Sequence, residues 1–254
     1  MEEDGGTEGA AISEDTAWER HAGWWQRTFT GGVDAEYTEQ ILPMAAEHLD
    51  GAERVLDVGC GEGQVARAAA EAGALLVVGC DPAVAQIEEA VRRAGGPRYL
   101  RAGGERLPFG DGSFDAAVAC LVLEHLDDAL AASDEITRVL RVGGRFLFFL
   151  NHPLLQTPNS GWIDDHLLDP PEQYWRIGRY LVEDRTIEEV QPGVLIPFVH
   201  RPLGVYVNAM AAAGLLLEAM DEPAPPPGFL VRAPEYPEAS SIPRLLFLRA
   251  HKHR

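Results

Sequence analysis

The sequence predicts an α/β fold: a doubly wound, mostly parallel sheet with helices on both faces. Three observations carry the prediction. Short runs suited to strands alternate with helix-forming stretches from residue 54 to residue 150. The run Leu75–Gly79 is apolar without alternation, the pattern of a strand buried on both faces. Strand, helix and strand repeated in this way require right-handed crossovers, which leave the strands' carboxyl ends together as a ligand site.

Whole-chain numbers narrow the function. The 254 residues suffice for one domain, read here as 16–254, with room for a lid. No apolar run approaches the ~20 residues of a membrane-spanning helix, so no membrane partner is expected. Residues 1–15, MEEDGGTEGAAISED, are acidic and lack an apolar centre, as a disordered leader does and a signal peptide does not. Three scattered cysteines make no disulfide framework, which points to a reducing, cytoplasmic setting. The net charge of −19 repels polyanions, and the dispersed arginines and the HKHR tail at 251–254 are too few to offset it. A small-molecule partner is expected, with no nucleic acid, on a monomer or homodimer.

Residues 16–50 precede the first strand and carry Trp18, Trp24, Trp25, Phe29 and Tyr37. Ile41, Leu42, Ala45, Ala46 and Leu49 have helical spacing, so one or two helices are expected here. They form either a cap that sets Trp24 or Trp25 against a ligand, or a helix packed on the sheet edge. Residues 54–65, RVLDVGCGEGQV, follow as a strand (Arg54–Val58), a glycine turn and the start of a helix running to Ala72. Gly59, Gly61 and Gly63 permit a sharp turn and close approach of a ligand to the main chain, and the helix start offers free N–H groups. The spacing is G-x-G-x-G. A dinucleotide fingerprint would place its third glycine where Gln64 stands. Asp57, inside the strand end, opposes a diphosphate and favours a cationic or hydroxyl-rich ligand.

The second strand ends in Cys80-Asp81-Pro82. An acid ~20 residues past a glycine loop holds a ribose in nucleotide-binding folds. Asp81 also suits a helix N-cap, and Pro82 suits the first helical position. A helix through Arg93 and a third strand, Arg98–Ala102, lead into the segment 103–120. Phe114–Cys120 is the fourth strand. Asp127 or Asp128 caps a helix reaching Leu140, Arg141–Gly144 turn, and Arg145–Leu150 is the fifth strand. Residues 151–200 then break the pattern with Trp162, Asp164, Asp165, His166, Tyr174, Trp175, Tyr180 and several prolines. The stretches 179–190 and 194–200 look like antiparallel strands. This insert is expected to choose the substrate as a lid, or else to form a dimer surface. A last crossover helix runs to Ala213 with Gly214 as its cap, followed by strands at 215–220 and 244–250 joined by a proline-rich loop.

VLDVGCGEG, with its acid inside the strand, resembles motif I of the class I S-adenosylmethionine (SAM)-dependent methyltransferases. Leu107-Pro108-Phe109, Ser113-Phe114-Asp115 and LRVGGRFLFF at 140–149 stand in the family's order, so the resemblance runs from about 53 to 150 and is to the UbiE-like or type 11 small-molecule group. It implies a Rossmann-like, seven-stranded sheet with an antiparallel last strand. It implies SAM as methyl donor, S-adenosylhomocysteine as product, and transfer of the methyl group to a small-molecule acceptor by in-line displacement, O-methylation before C- or N-methylation. Asp57 would orient the cofactor's amino-acid part. Gly59, Cys60, Gly61 and Gly63 would cradle it, and Asp81, followed by Pro82, would hold its ribose. Where the family often has an Asp for adenine, this chain has Gly103, so main chain at Gly104 or Glu105 would serve instead. Cys120 and Leu121, at the fourth strand's end, complete the expected cofactor set. Cys60, Cys80 and Cys120 all stand at strand ends and would ring the pocket, with no metal expected.

A hydroxyl acceptor wants a base near pH 7. His125 and His152, just past strand ends, are the catalytic candidates; His200 is a third, and each is also readable as a structural histidine. Glu124 reads as solvated. The alternative function is a SAM-binding sensor or partner protein without methyl transfer. An NAD-dependent oxidoreductase is opposed by Gln64, and an RNA methyltransferase by charge.

Overall fold

The computed structural model describes residues 14–233 and 237–254. Most of the leader at 1–15 lies outside the described residues; Glu14 and Asp15 open the first helix. That helix, α1 (Glu14–Thr28), is followed by a π-helical segment, Tyr37–Ile41, that continues into α2 (Leu42–Leu49). Pro43 accounts for the wide turn, since it has no N–H for the carbonyl four residues back and its ring would clash there. Asp34 caps this start by accepting from the Tyr37 N–H at 3.0 Å.

The sheet elements are β1 (Arg54–Val58), β2 (Leu76–Asp81), β3 (Arg98–Arg101), β4 (Phe114–Cys120) and β5 (Leu140–Asn151), with α3 (Gln64–Glu71), α4 (Val84–Arg93) and α5 (Ala129–Val139) between them. Two hairpins follow: β6 (Gly161–Asp165) with β7 (Glu172–Arg176), and β8 (Asp184–Gln191) with β9 (Val194–His200). Then come α6 (Leu203–Ala213), β10 (Leu215–Asp221), a short α7 (Pro227–Leu230) and β11 (Leu245–Lys252). The seven-stranded sheet has the order β10-β11-β5-β4-β1-β2-β3. Its pairs β3–β2, β2–β1, β1–β4 and β4–β5 are parallel, and β11 alone runs against both its neighbours. The expected architecture is therefore observed.

Local departures have local causes. Arg141–Gly144 is no separate turn. It loops out of the β4–β5 ladder, whose pairing steps from Phe114↔Leu140 to Ala116↔Arg145. Pro82 precedes the helix rather than opening it, because Ala83 is the N-cap of α4. Asp128, not Asp127, caps α5 by accepting from the Ala131 N–H at 2.9 Å. The β6–β7 hairpin was not anticipated; it is held by a Trp162–Trp175 cross-strand pair with centroids 5.6 Å apart.

The fifth strand shows why both sheet faces must be covered. Phe146, Phe148 and Leu150 join Ile136, Tyr206 and Met210 on one face, while Leu147 and Phe149 join Ile41, Ala45 and Val65 on the other. Alternate side chains of one apolar run thus feed two cores. Asp115 anchors the base of the sheet, accepting main-chain N–H groups of Glu53 and Arg54 at 3.1 and 2.9 Å. Phe148→Ala should lower unfolding free energy by about 3–5 kcal/mol, since Phe148 is fully buried and stacks on Phe146. The denaturant midpoint at unchanged slope is the measurement, and a loss under ~1 kcal/mol would show that the site collapses or was never packed.

Candidate active site

A cleft opens at the carboxyl ends of β1, β2 and β4, with about 950 Å³ of empty space, part of it open to solvent. Asp57, Gly59, Cys60, Gly61, Asp81, Pro82, Gly104, Glu105, Cys120, Leu121 and His125 all line it, joined by Gly103. Gly63 lies beside the cleft. It is the left-handed N-cap of α3 (φ 87°), and a Cβ there would meet the Tyr99 hydroxyl at 2.4 Å. Gly59 (φ 68°) has the same double requirement, its Cβ position lying 2.4 Å from a Val122 methyl.

Asp81 closes the turn between two loops. One carboxylate oxygen accepts from the Gly61 N–H at 2.9 Å and the other from the Ala83 N–H at 2.9 Å. Asp57 is 1% exposed, and its Oδ2 has no partner among the described residues. Burial raises its pKa to about 7, with the Asp81 charge adding to the effect and a hydrogen bond from the Ala66 main chain opposing it. Leu121 adopts φ 55° without being glycine, a strained conformation that re-aims the chain as it leaves β4.

The histidines separate. His125 faces the cleft and is buried. Its Nδ1 lies 2.9 Å from the Pro197 carbonyl, which can only accept, so Nδ1 carries the proton and Nε2 keeps its lone pair. Burial pushes its pKa down to about 4, so the ring is neutral at pH 7. His152 is no part of the cleft lining. Its Nε2 pairs with Glu222 at 2.7 Å and its Nδ1 accepts from the Leu154 N–H at 3.2 Å, so both nitrogens are occupied in fixing the end of β5. His200 bonds the Tyr180 carbonyl and is likewise away from the cleft. Of the expected histidines, His125 therefore stands in the cleft wall and His152 does not.

Other expectations are corrected too. Trp25 lines the cleft with Trp18, whereas Trp24 reaches outward to Gln191 at 3.0 Å. Cys60 and Cys120 reach the cleft wall but Cys80 does not. Burial holds all three thiols protonated, that of Cys80 up to about 12. No described residue of 151–200 lines the cleft; the insert reaches the site through His125, by the Pro197 carbonyl and the Phe198 ring. Glu124 is not solvated but 2% exposed. Sequence reasoning passed over Tyr37, Gln86 and Val122 as lining residues. Pro43 inside an apolar helical pattern was the one available sign of the π turn that delivers Tyr37.

Comparison with known proteins agrees with this geometry. Residues 56–148 match the family described as "Methyltransferase domain". A SAM-dependent methyltransferase from Mesorhizobium loti, solved by crystallography, superposes with a TM-score of 0.73 at 30% identity, covering 86% of this chain and 98% of that one. The chain belongs to the SAM-dependent methyltransferases. Its cofactor is SAM, a sulfonium cation. Among curated relatives, O-methyltransferase rstn1 of Aspergillus nomiae is 36% identical over 133 residues, 49% of this chain and 59% of that protein. Demethylmenaquinone methyltransferase of Beutenbergia cavernae is 38% identical over 95 residues, 37% of this chain and 39% of that one. The chain thus spans about half the length of the curated relatives it matches. Among the described residues no helix is long and apolar enough to cross a membrane, and no cluster of His, Cys, Asp and Glu could hold a metal ion.

The donor set of this methyltransferase suits its cofactor: an orphaned buried carboxylate for a cation, and glycine loops that a Cβ would fill. The same burial makes the ligand-free protein pH-sensitive. The Asp57 and Glu124 carboxyls, both raised to about 7, favour folding in their protonated forms. Their contribution is complete below the usual carboxylate range of about 4 and is lost as pH rises through about 7. His125, lowered to about 4, has the opposite sign, but its contribution is intact above about 6.5. The melting temperature of ligand-free protein should therefore fall between about pH 6.5 and 7.5, and Asp57→Asn should flatten that fall. An unchanged profile in Asp57→Asn would mean that Asp57 is ionised throughout.

Proposed function

We propose that this protein transfers the methyl group of SAM to a small-molecule acceptor, with O-methylation favoured. The observation that carries the proposal is the pairing, in one cleft, of the Asp57 and Asp81 carboxylates with a neutral His125 whose Nε2 lone pair is free. When bound, SAM supplies an electrophilic methyl group on a positively charged sulfur. The chain's own residues supply position and proton handling.

Asp57 would face the cofactor's cationic end, where its unpartnered Oδ2 gains a counter-charge. Gly59, Gly61 and Gly63, with Cys60, would let the cofactor approach the loop. Asp81, which already accepts from Gly61 and Ala83, would also accept from ribose hydroxyls. Gly104, Glu105 and Pro82 would border the adenosine, and Cys120 and Leu121 the reacting end. His125 Nε2 would accept the proton of an acceptor hydroxyl, its tautomer fixed by Pro197. The names of curated O-methyltransferase relatives, rstn1 among them, support the choice of oxygen.

We read 16–254 as one catalytic domain, 16–50 as its cap and 151–200 as a lid acting through Pro197. Trp18 and Trp25 in the cleft wall support the cap, and the β9 bond to His125 supports the lid. A sensor that binds SAM without turnover would be expected to fill the space beside the sulfonium. Relatives and structural neighbours that are themselves methyltransferases support an enzyme.

Calorimetric titration with S-adenosylhomocysteine should give micromolar binding where NAD gives none. Asp81→Ala should weaken that binding by about 1.5–3 kcal/mol through the loss of charge-assisted hydrogen bonds. Absence of S-adenosylhomocysteine binding would remove the enzyme reading, and unchanged affinity in Asp81→Ala would remove Asp81 from the ribose.

A further inference from the structure

The helix α1 supplies more to the cleft than a cover. Its Gln26 donates from the side-chain amide to two acceptors on α4: the Ala85 carbonyl at 3.2 Å and the side-chain oxygen of Gln86 at 3.0 Å. A carbonyl can only accept, so Ala85 decides which end of the Gln26 amide faces α4. The nitrogen that faces Ala85 also faces Gln86, and Gln86 must answer with its oxygen. The Gln86 nitrogen is thereby turned away from α1's amide. Gln86 is 3% exposed and lines the cleft, as does Trp25. Among the described residues, neither the Gln86 nitrogen nor the Trp25 indole N–H finds an acceptor.

Both donors border one point. A Cβ on Gly61 would lie 3.6 Å from Trp25 Nε1 and 4.0 Å from Gln86 Nε2. The indole is held there by stacking on Phe29, with centroids 4.4 Å apart, and by the edge contact with Trp18 at 5.5 Å. Gly61 is also the residue whose N–H Asp81 accepts at 2.9 Å, while the other Asp81 oxygen accepts from Ala83, just before α4. An accepting carboxylate and two fixed neutral donors thus meet around one loop. That set matches a pair of neighbouring hydroxyls. A hydroxyl that gives its proton to a carboxylate keeps lone pairs, and these cost free energy if buried without a donor. The set does not match an anion. A carboxylate on these donors would stand beside Asp81, and no lysine or arginine is among the described residues lining the cleft.

We propose that Trp25 and Gln86 donate to the ribose hydroxyl oxygens of the bound cofactor while Asp81 accepts the hydroxyl protons, and that Gln26 is the positioning residue that aims Gln86. The proposal rests on the methyltransferase reading above and deepens it. One donor comes from α1 itself, and the other is oriented by α1. Gln26 touches no cofactor atom. It acts by excluding the flipped Gln86 amide, which would turn an oxygen toward hydroxyls whose protons Asp81 already takes.

The test measures binding of S-adenosylhomocysteine and of methylthioadenosine to the full chain by calorimetry. Methylthioadenosine keeps the ribose and lacks the amino-acid part. Gln86→Leu should weaken both ligands by roughly tenfold, and Trp25→Phe, which keeps a stacking ring without the N–H, by roughly threefold or more. A loss confined to S-adenosylhomocysteine would put the donors on the amino-acid carboxylate and overturn the proposal. Unchanged affinity for both ligands would overturn it as well. Gln26→Met keeps the unbranched side chain but not the amide, so it separates aiming Gln86 from docking α1. It should weaken both ligands by about threefold in the wild-type background and have no further effect in Gln86→Leu. A further loss in the double variant would mean that Gln26 acts only by docking α1, and its positioning role would fall. Failure of the wild type to bind S-adenosylhomocysteine would instead bring down the underlying methyltransferase reading, so the two failures are distinct.

Discussion

The Asp81 carboxylate, between the N–H groups of Gly61 and Ala83, is the interaction on which the cleft depends. Parallel strands end side by side, and each must hand the chain to a helix without filling the space above the sheet. Asp81 ties the loop after β1 to the loop after β2, so their main chains stay apart from the cleft centre. The glycine torsions at 59, 61 and 63 follow from that arrangement, because the loop must turn within a few residues and remain thin. Both oxygens of Asp81 are anchored, so the carboxylate is held in place before any ligand arrives.

Burial then sets the chemistry. Asp57, Glu124 and His125 are taken out of water with few compensating partners, and each is pushed toward its neutral form. For the two carboxyls this stores an unmet demand for positive charge or a donated proton. For the histidine it preserves a lone pair at neutral pH. One physical term, desolvation at the end of a buried sheet, thus produces a cleft that is receptive to cations and retains a neutral acceptor of protons. The same term keeps the three thiols protonated.

The added segments act at a distance from where their composition suggests. The aromatic insert supplies no described side chain to the cleft. It acts on His125 instead: the Phe198 ring packs on the imidazole with centroids 4.6 Å apart, and the Pro197 carbonyl, opposite Ile187 in the β8–β9 pair, determines which nitrogen of His125 is protonated. The N-terminal helix covers the cleft with Trp18 and Trp25. It is tied to α4 by the Gln26 side-chain amide, which donates to the Gln86 side-chain oxygen at 3.0 Å, while the Trp24 indole N–H donates to Gln191 in the β8–β9 hairpin at 3.0 Å. The N-terminal helix, the glycine loop and the insert therefore converge on one short segment, 121–126, which Arg201 holds from behind.

Taken alone, the sequence determined the sheet, the order of its helices, the glycine loop and the two acids that line the cleft beside it. These are local signals: apolar runs, turn residues and fixed spacings within one strand–loop–helix unit. It could not separate His125 from His152, because both stand just past strands and only packing shows that one faces the cleft while the other is bonded to Glu222. Nor could it tell a solvated Glu124 from a buried one, since exposure is decided by what residues far along the chain, at 37, 151 and 201, place around it. Which face a side chain presents was written in the local pattern. Whether that face meets water, a partner or an unfilled need was decided only when distant segments closed over it, because solvation is a property of the assembled neighbourhood.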